Sequence, residues 1–481
     1  MNQDTDGGGW CSILLFLCIA VTIGSVLPVG YCFGVMNAPA EFIKTWAAES
    51  FNAHYSTQLS DGQTTLLWAI IVSVFQIGGI IGSLCAASLN TRYGRRGTLR
   101  ITDFIFTMSF LLFLLCRYIV KSVEMLLMGR FLGGVASALV YSTQPMYLVE
   151  LAPPELSGSV GVFTCIGITG GVVVGQLLSF DFVWGTKEHW HWALSAFIIF
   201  VWIGSLCSCF YPESPRFLVA KGRTADAKMV LQHLRGLDQR AEKELAQIEA
   251  AAHRAEQSMS IKDVVCNGKL QMAIILVCSF HFVQQGSGIN AIWFYSVATF
   301  TDAGFSTSVA LWLNFALGVL NFLAALCGVV LMAKFDRRLM MMLSCILSAL
   351  FMLLLSFGLH FADVFKWLAY ICIVLLALYM LSFNMALGPM PYFIGSGFFF
   401  VISPRAAVMA LGSLSNWIMN FVIGMIFPIL SDCIGSFAFL VFAVICVYGF
   451  LLTYRYLPET RNRTPEDVAP LMENGFKSKI K

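Results

Sequence analysis

From Gln271 to Phe300 the chain runs for thirty residues without a Lys, Arg, Asp or Glu, and apolar stretches of this kind recur along almost its whole length. Twelve can be marked out, at roughly residues 11 to 34, 64 to 89, 101 to 119, 125 to 147, 158 to 182, 192 to 211, 271 to 295, 308 to 332, 339 to 360, 367 to 394, 406 to 430 and 435 to 456. Most reach the ~20 residues that a helix needs to cross a bilayer. Only 12% of the chain is charged and 58% is hydrophobic, whereas about a quarter of a soluble domain is charged. An all-α membrane protein is expected. The first apolar run is too long for a cleaved signal peptide and follows a tail, MNQDTDGGGW, without Lys or Arg, so it should stay as an anchor.

Basic residues orient such a chain, because the cytoplasmic joints of membrane proteins are enriched in Lys and Arg. With the amino terminus inside, the inner joints and tails hold 24 of the 30 basic residues, the outer joints hold five, and Arg130 falls within a span. Both termini are therefore expected in the cytoplasm. The fifteen cysteines lie mostly singly within spans, without a Cys-x-x-Cys pair or a matching His cluster, and are read as small apolar packing residues. No cofactor, metal or nucleic-acid partner is expected. The sequon Asn462-Arg463-Thr464 falls on the inner side and is discounted as a glycosylation site.

Two markers repeat at nearly the same offset. Arg95-Arg96 after the second span and Arg337-Arg338 after the eighth are 242 residues apart; Pro212-Glu213 after the sixth and Pro458-Glu459 after the twelfth are 246 apart. The shared offset implies an internal duplication, with residues 1–211 and 266–457 as two six-helix bundles and 458–481 as a tail. Repeats of this kind place a site at their interface near the bilayer midplane. Residues 212–265 are soluble in character and are expected to form a short helical linker on the cytoplasmic side, with Thr224 and Asp238 as helix caps.

Polar side chains at membrane depth are costly unless they face the interior. No carboxylate lies at the expected midplane, where a proton-coupled carrier would need a titratable group. The polar residues there are neutral amides: Gln284, Gln285, Asn290, Asn321, Asn384, Asn416 and Asn420, with Gln176 further off. An amide both donates and accepts hydrogen bonds, which suits a ligand covered in hydroxyl groups. Trp293, Tyr392 and Trp417 could lie against its C–H face. Gln285 and Asn290 are five positions apart, about 140° on an ideal helix, so they would not face one cavity. Gly286 and Gly288 remove that objection by allowing the helix to unwind. Gly388, Pro389 and Pro391 imply a second break in the tenth span.

These residues bring the chain into line with a known family. RYGRR after the second span, GRFLGG and PMYLVELAP around the fourth, PESPRFL after the sixth, QQGSGINAIWFYS in the seventh, GPMPYF in the tenth, SNW in the eleventh and PET after the twelfth follow in order. Over roughly residues 11 to 464 the sequence resembles the sugar porters of the major facilitator superfamily, and among them the animal facilitative glucose and hexose transporters. The resemblance implies sugar-binding amides at Gln284, Gln285, Asn290, Asn321 and Asn416, and a stacking tryptophan at Trp417. It implies ion-pair gates at Arg95, Arg96, Glu150, Glu213 and Arg216 in one half, and at Arg337, Arg405 and Glu459 in the other. Cys32 occupies the position that carries aspartate in proton-coupled sugar symporters, so facilitated diffusion is implied.

Several positions depart from the pattern. Cys165, Asn384 and Tyr392 replace a glutamine, a glutamate and a tryptophan, and His281-Phe282-Val283 precedes the paired glutamines where glucose-selective members carry Gln-Leu-Ser. An arginine near Ser157 is missing from the first gate, and Ala333 and Gly397 replace two glutamates of the second, which should destabilise the outward-facing state unless Asp336 or another acid compensates. The expected function is passive transport of a hexose, glucose and/or fructose, by alternating access at the plasma membrane, with a monomer sufficient for transport. A sugar sensor, or a carrier of another polyol-like solute, is the alternative. An enzyme is not expected, since no nucleophile, base and oxyanion arrangement is visible.

Overall fold

The computed structural model describes residues 10–118, 121–236, 238–254, 261–268, 270–302, 304–362, 364–398, 402–461, 463, 468 and 471. Among these, eleven helical stretches are long and apolar enough to cross a membrane. Backbone amides in lipid must be satisfied within their own segment, which leaves the helix as the form for such runs. The longest stretch, Asp61–Tyr118, spans 58 residues, about 87 Å at 1.5 Å per residue, and is broken at Gly94 with φ 77 and ψ −175. A side chain at Gly94 would run into the Glu213 carboxylate and the Phe217 ring. This stretch is therefore the second and third spans, and the described chain has twelve.

The first span is Ser12–Gly34, the fourth Val123–Leu151, the fifth Ser157–Leu178 and the sixth Trp190–Phe210. After the linker come the seventh, Gln271–Trp293; the eighth, Ser308–Lys334; and the ninth, Arg337–Phe361. The tenth, eleventh and twelfth are Leu368–Gly395, Ala406–Phe427 and Gly435–Tyr456. Small residues let the helices approach backbone to backbone, as TM packing requires where no water is displaced. Gly78 and Gly134 close the second span on the fourth, Gly30 and Gly171 the first on the fifth, and Gly24 and Gly204 the first on the sixth. The two halves meet along a seam where the second span packs on the eleventh, the fourth on the tenth and eleventh, and the fifth on the eighth. Ser83 and Ser413 share a buried hydrogen bond of 2.9 Å across it, and the rings of Tyr141 and Tyr392 meet edge to face at 5.2 Å.

Residues 212–265 form helices Pro215–Ala220, Thr224–Arg235, Asp238–Arg254 and, at their end, Ile261–Cys266. They share a small core of Leu218, Val219, Ala227, Leu231, Ala241 and Ile248. The cap expected at Thr224 is not made: Arg223 occupies the cap position and Thr224 is the first helical residue, without a capping bond from a side chain. The side chain of Asp238 and the sequon at Asn462 lie outside the described residues. The linker docks on the amino-terminal half, where Arg235 pairs with Glu244 at 2.8 Å and donates to the Leu151 carbonyl at 2.9 Å. Arg240 reaches Glu155 at 3.1 Å.

Candidate functional site

The seventh span begins as an α-helix over Gln271–Gln284, widens into a π-turn over Gln285–Ile289 and resumes as α-helix at Asn290. Gly288 makes the break, with φ 95 and ψ 5, a left-handed conformation open to glycine at little cost. Gly286 stays out of that region; its lack of a side chain makes room for Met419 and Ile445. The consequence is local. Asn290 Nδ2 donates to Gln285 Oε1, a contact that the ideal helix forbids.

Gln284 ties this span to its neighbours. Its Nε2 donates to the Gly388 carbonyl at 2.5 Å, and its Oε1 accepts from Asn416 Nδ2 at 2.7 Å. The Gly388 carbonyl is exposed for this bond because the tenth-span helix Leu368–Met385 ends at Ala386 and restarts at Met390. Beside it, Asn384 Nδ2 donates to Asn321 Oδ1 at 2.5 Å and to the Met380 carbonyl at 2.8 Å. From the other half, Cys165 Sγ reaches Asn384 Oδ1 at 3.4 Å.

These groups surround a cavity of about 60 Å³ on the seam between the halves. Its polar wall is Gln284, Gln285, Asn290, Asn321, Asn420, Thr169 and Cys165; its aromatic wall is Phe33, Tyr141, Trp293, Phe383 and Tyr392. A single water needs about 10–15 Å³ by this measure. The cavity therefore holds a few waters, and a larger solute requires the halves to part. Three expected residues stand behind the wall. Asn384 reaches the cavity through Asn321 and Cys165, and Asn416 through Gln284. Trp417 is fully buried, stacked on Tyr141 at 5.4 Å and Phe33 at 6.1 Å. Tyr141 and Thr169 were not anticipated. Their hydroxyls were the available signal, but hydropathy does not say which face of a helix meets the seam.

No carboxylate, Lys, Arg or His lines the cavity among the described residues, and no group of three metal-ligating side chains occurs among them. Arg130, in the fourth span, is 4% exposed. It donates to the carbonyls of Cys32 at 3.2 Å, Ile71 at 3.4 Å and Val72 at 3.4 Å, and lies over the Phe75 ring at 4.5 Å. Its charge is satisfied by carbonyl dipoles and a ring, with no acid at Cys32.

Residues 17–472 match the family model described as "Sugar (and other) transporter". The chain belongs to that family. It is 31% identical to facilitated glucose transporter member 3 of Mus musculus over 96% of its own length and 93% of the relative's. It is equally 31% identical to member 5 of Equus caballus, covering 94% and 90% of the two chains. Among solved structures it matches the proton:xylose symporter XylE bound to 6-bromo-6-deoxy-D-glucose, with a TM-score of 0.84, 22% identity and coverage of 96% and 99%. The major facilitator superfamily transporter FucP in the outward conformation matches at a TM-score of 0.57 and 12% identity, with coverage of 92% and 99%. The fold is that of the major facilitator superfamily, and the chain is a multi-pass membrane transporter rather than an enzyme.

In this sugar transporter one device is repeated at the end of each half that carries the paired arginines. Glu213 accepts from the backbone N–H groups of Arg95 at 2.9 Å, Arg96 at 3.3 Å and Ser214 at 2.9 Å. Glu459 accepts in the same way from Arg337 at 3.2 Å, Arg338 at 3.1 Å, Thr460 at 2.8 Å and Arg461 at 2.7 Å. Each acid thus holds the start of a helix in the adjacent hairpin, which gives the 246-residue repeat a physical meaning.

The halves then diverge. Arg95 forms a bidentate pair with Glu150, at 2.8 and 2.9 Å, with neither side chain exposed. The Arg337 guanidinium makes no direct ion pair among the described residues, although the Glu459 carboxylate, held on the Arg337 backbone N–H, lies near enough to act on its charge. The guanidinium donates to the carbonyl and hydroxyl of Thr460, each at 3.3 Å, and across the seam to Ser157 Oγ at 3.2 Å; its Nε has no partner. Asp336 pairs with Arg461 at 3.4 Å. Arg96 reaches the Cys209 carbonyl at 3.4 Å, Arg216 lies in the linker helix Pro215–Ala220, and the side chain of Arg405 is outside the described residues.

Proposed function

We propose that this sugar transporter is a uniporter that moves a hexose, glucose and/or fructose, down its gradient by alternating access. The observation that carries the reading is the cavity: neutral amides and aromatic rings on the seam, no titratable acid in the wall, and an Arg130 held by carbonyls. Amides match sugar hydroxyls in both directions of donation, and rings cover the C–H faces between them. Nothing in that wall would load and unload a proton. The relatives named as facilitated glucose transporters support the reading, whereas the symporter structures share only the fold.

Gln284, Gln285, Asn290 and Asn321 bond the sugar directly in this proposal. Asn384, Asn416 and Trp417 hold them in position, with Cys165 and Tyr392 shaping the opposite wall. Residues 1–211 and 266–457 are the two moving bodies, 212–265 the linker and 458–481 the tail. The arginine-bearing end faces the cytoplasm, as the distribution of basic residues favours, and the plasma membrane is the proposed location. Arg95, Arg96, Glu150, Glu213, Arg216, Arg337, Arg405 and Glu459 close the inner side. The sugar should bind at the millimolar level, roughly −4 kcal/mol, so that it leaves on the far side.

Purified protein in liposomes should take up labelled glucose or fructose down its gradient at the same rate with and without an imposed pH gradient. Uptake that occurs only with proton influx would overturn the uniport reading. Gln285→Leu and Asn290→Leu should each abolish uptake with the protein still present at wild-type abundance. Retained uptake would mean that these amides are helix glue alone.

A further inference from the structure

Between the central cavity and the end of the molecule away from the paired arginines, two further hollows lie on the seam. The smaller, about 10 Å³, is bounded by Asn37 just past the end of the first span, Gln176 of the fifth and Asn314 of the eighth. The larger, about 260 Å³, shares Ala38, Ser179, Phe180 and Leu311 with it and extends past Asp181 and Trp312. Gln176 sets this region apart. It is only 6% exposed, yet neither its Oε1 nor its Nε2 has a partner. A buried amide left without both bonds is expensive, so the position calls for a group that donates and accepts at once.

The neighbours fit the same kind of ligand. Val172 lines the central cavity and Gln176 lies one turn along the same helix face. Between the two hollows and the central cavity, Asn37 Nδ2 donates to the Trp293 carbonyl at 2.6 Å, and Trp293 lines the central cavity. That bond joins the halves and closes the way inward. On the other side, Phe180 stacks on Trp312 across the seam at 4.8 Å and 28°, with Phe182 nearly parallel to Trp312 at 6.3 Å.

We propose that Gln176, Asn37 and the Phe180–Trp312 pair form an outer docking subsite for a hexose on its way to the central cavity. The Gln176 amide bonds hydroxyl groups and the rings take a C–H face of the sugar. Parting of the halves breaks the bond between Asn37 and Trp293 and releases the sugar inward. The subsite rests on the hexose uniport reading and on the orientation given with it.

The test uses full-length protein in liposomes and equilibrium exchange of labelled glucose or fructose below saturation. Gln176→Leu should slow exchange about fivefold, the size of one lost hydrogen bond, and Gln176→Asn should restore part of it. Occupancy of the central cavity is read separately, as hexose protection of Cys165 against N-ethylmaleimide, located by peptide mass spectrometry. The hexose concentration giving half protection should be unchanged, because equilibrium occupancy does not depend on the path. Unchanged exchange in Gln176→Leu would show that the amide meets water only, and a half-protection concentration that moves in step with the exchange rate would place Gln176 in the central site; either overturns the proposal. Should Gln176→Leu fail to fold, Trp312→Ala at a half-exposed ring must show the same split. A wild-type protein that exchanges no hexose would sink the uniport reading itself, and the subsite with it.

Discussion

Replacing Gly288 by alanine tests whether the break in the seventh span builds the cavity. Gly288 sits at φ 95, where an L residue costs about 1–2 kcal/mol. The new Cβ would also fall 2.5 Å from Phe442 Cδ2 and 2.9 Å from its Cγ. That ring is 1% exposed and hemmed in by Phe427 at 5.7 Å and Phe439 at 6.1 Å, so it has little room to yield. Overpacking of this sort adds about 1–3 kcal/mol, for a total of about 2–5 kcal/mol. The strain can be relieved if the helix straightens, but that swings Asn290 about 140° away from Gln285. Gly286→Ala is the internal comparison. There the added Cβ meets the end of Met419 at 2.9 Å and Ile445 at 3.0 Å, side chains that can shift, and the residue needs no left-handed backbone. Thermal unfolding of the purified proteins and uptake per reconstituted molecule should both show a severe loss for Gly288→Ala and a mild one for Gly286→Ala. Equal losses, or a Gly288→Ala protein with wild-type uptake, would refute the argument that this break creates the site.

Glu150→Gln leaves Arg95 charged and buried, and should cost about 3–5 kcal/mol of stability. Arg337→Met removes a buried charge without a direct ion-pair partner among the described residues and should cost less than about 1 kcal/mol; thermal unfolding in the reverse order would refute the asymmetry of the two gates. Cys165→Gln adds an amide beside Asn384 and should tighten hexose half-saturation by about fivefold, one hydrogen bond's worth, with unchanged half-saturation counting against Cys165 as part of the wall. Burial holds the Glu213 carboxyl above its ordinary value of 4.5, against the pull of the backbone amides of Ser214, Arg95 and Arg96. A raised acid binds its proton more tightly folded than unfolded, so its contribution is present at low pH and is lost as pH rises above 4.5. Wild-type stability relative to Glu213→Gln should therefore improve as pH falls from neutral; a relative decline would mean that the carboxylate form is favoured.

Much of the architecture was legible along the chain because a bilayer leaves few choices. Apolar runs of about twenty residues must become helices, and Arg95-Arg96 with Glu213 recurs as Arg337-Arg338 with Glu459 because each half needs the same helix start tied down. The interrupted spans were legible from Gly288 and from Gly388-Pro389, since these residues relax or forbid helical geometry. Face and depth were not. The sequence points to Gly286 and Gly288 together as what brings Gln285 to Asn290, whereas a single left-handed residue, Gly288, makes the turn. Asn416 and Trp417 carry the chemistry of a sugar contact, yet they stand behind Gln284 and Tyr141, because the wall is set by how eleven other helices pack against each one. The residue types alone determined twelve membrane helices with amides at their midplane, and the ordered motifs added the likeness to sugar transporters. Which amides reach the cavity, that the Arg337 guanidinium crosses to Ser157 rather than pairing with a carboxylate, and that Gln176 is buried without a partner were decided by the tertiary structure, since hydrogen-bond satisfaction depends on neighbours far away in sequence.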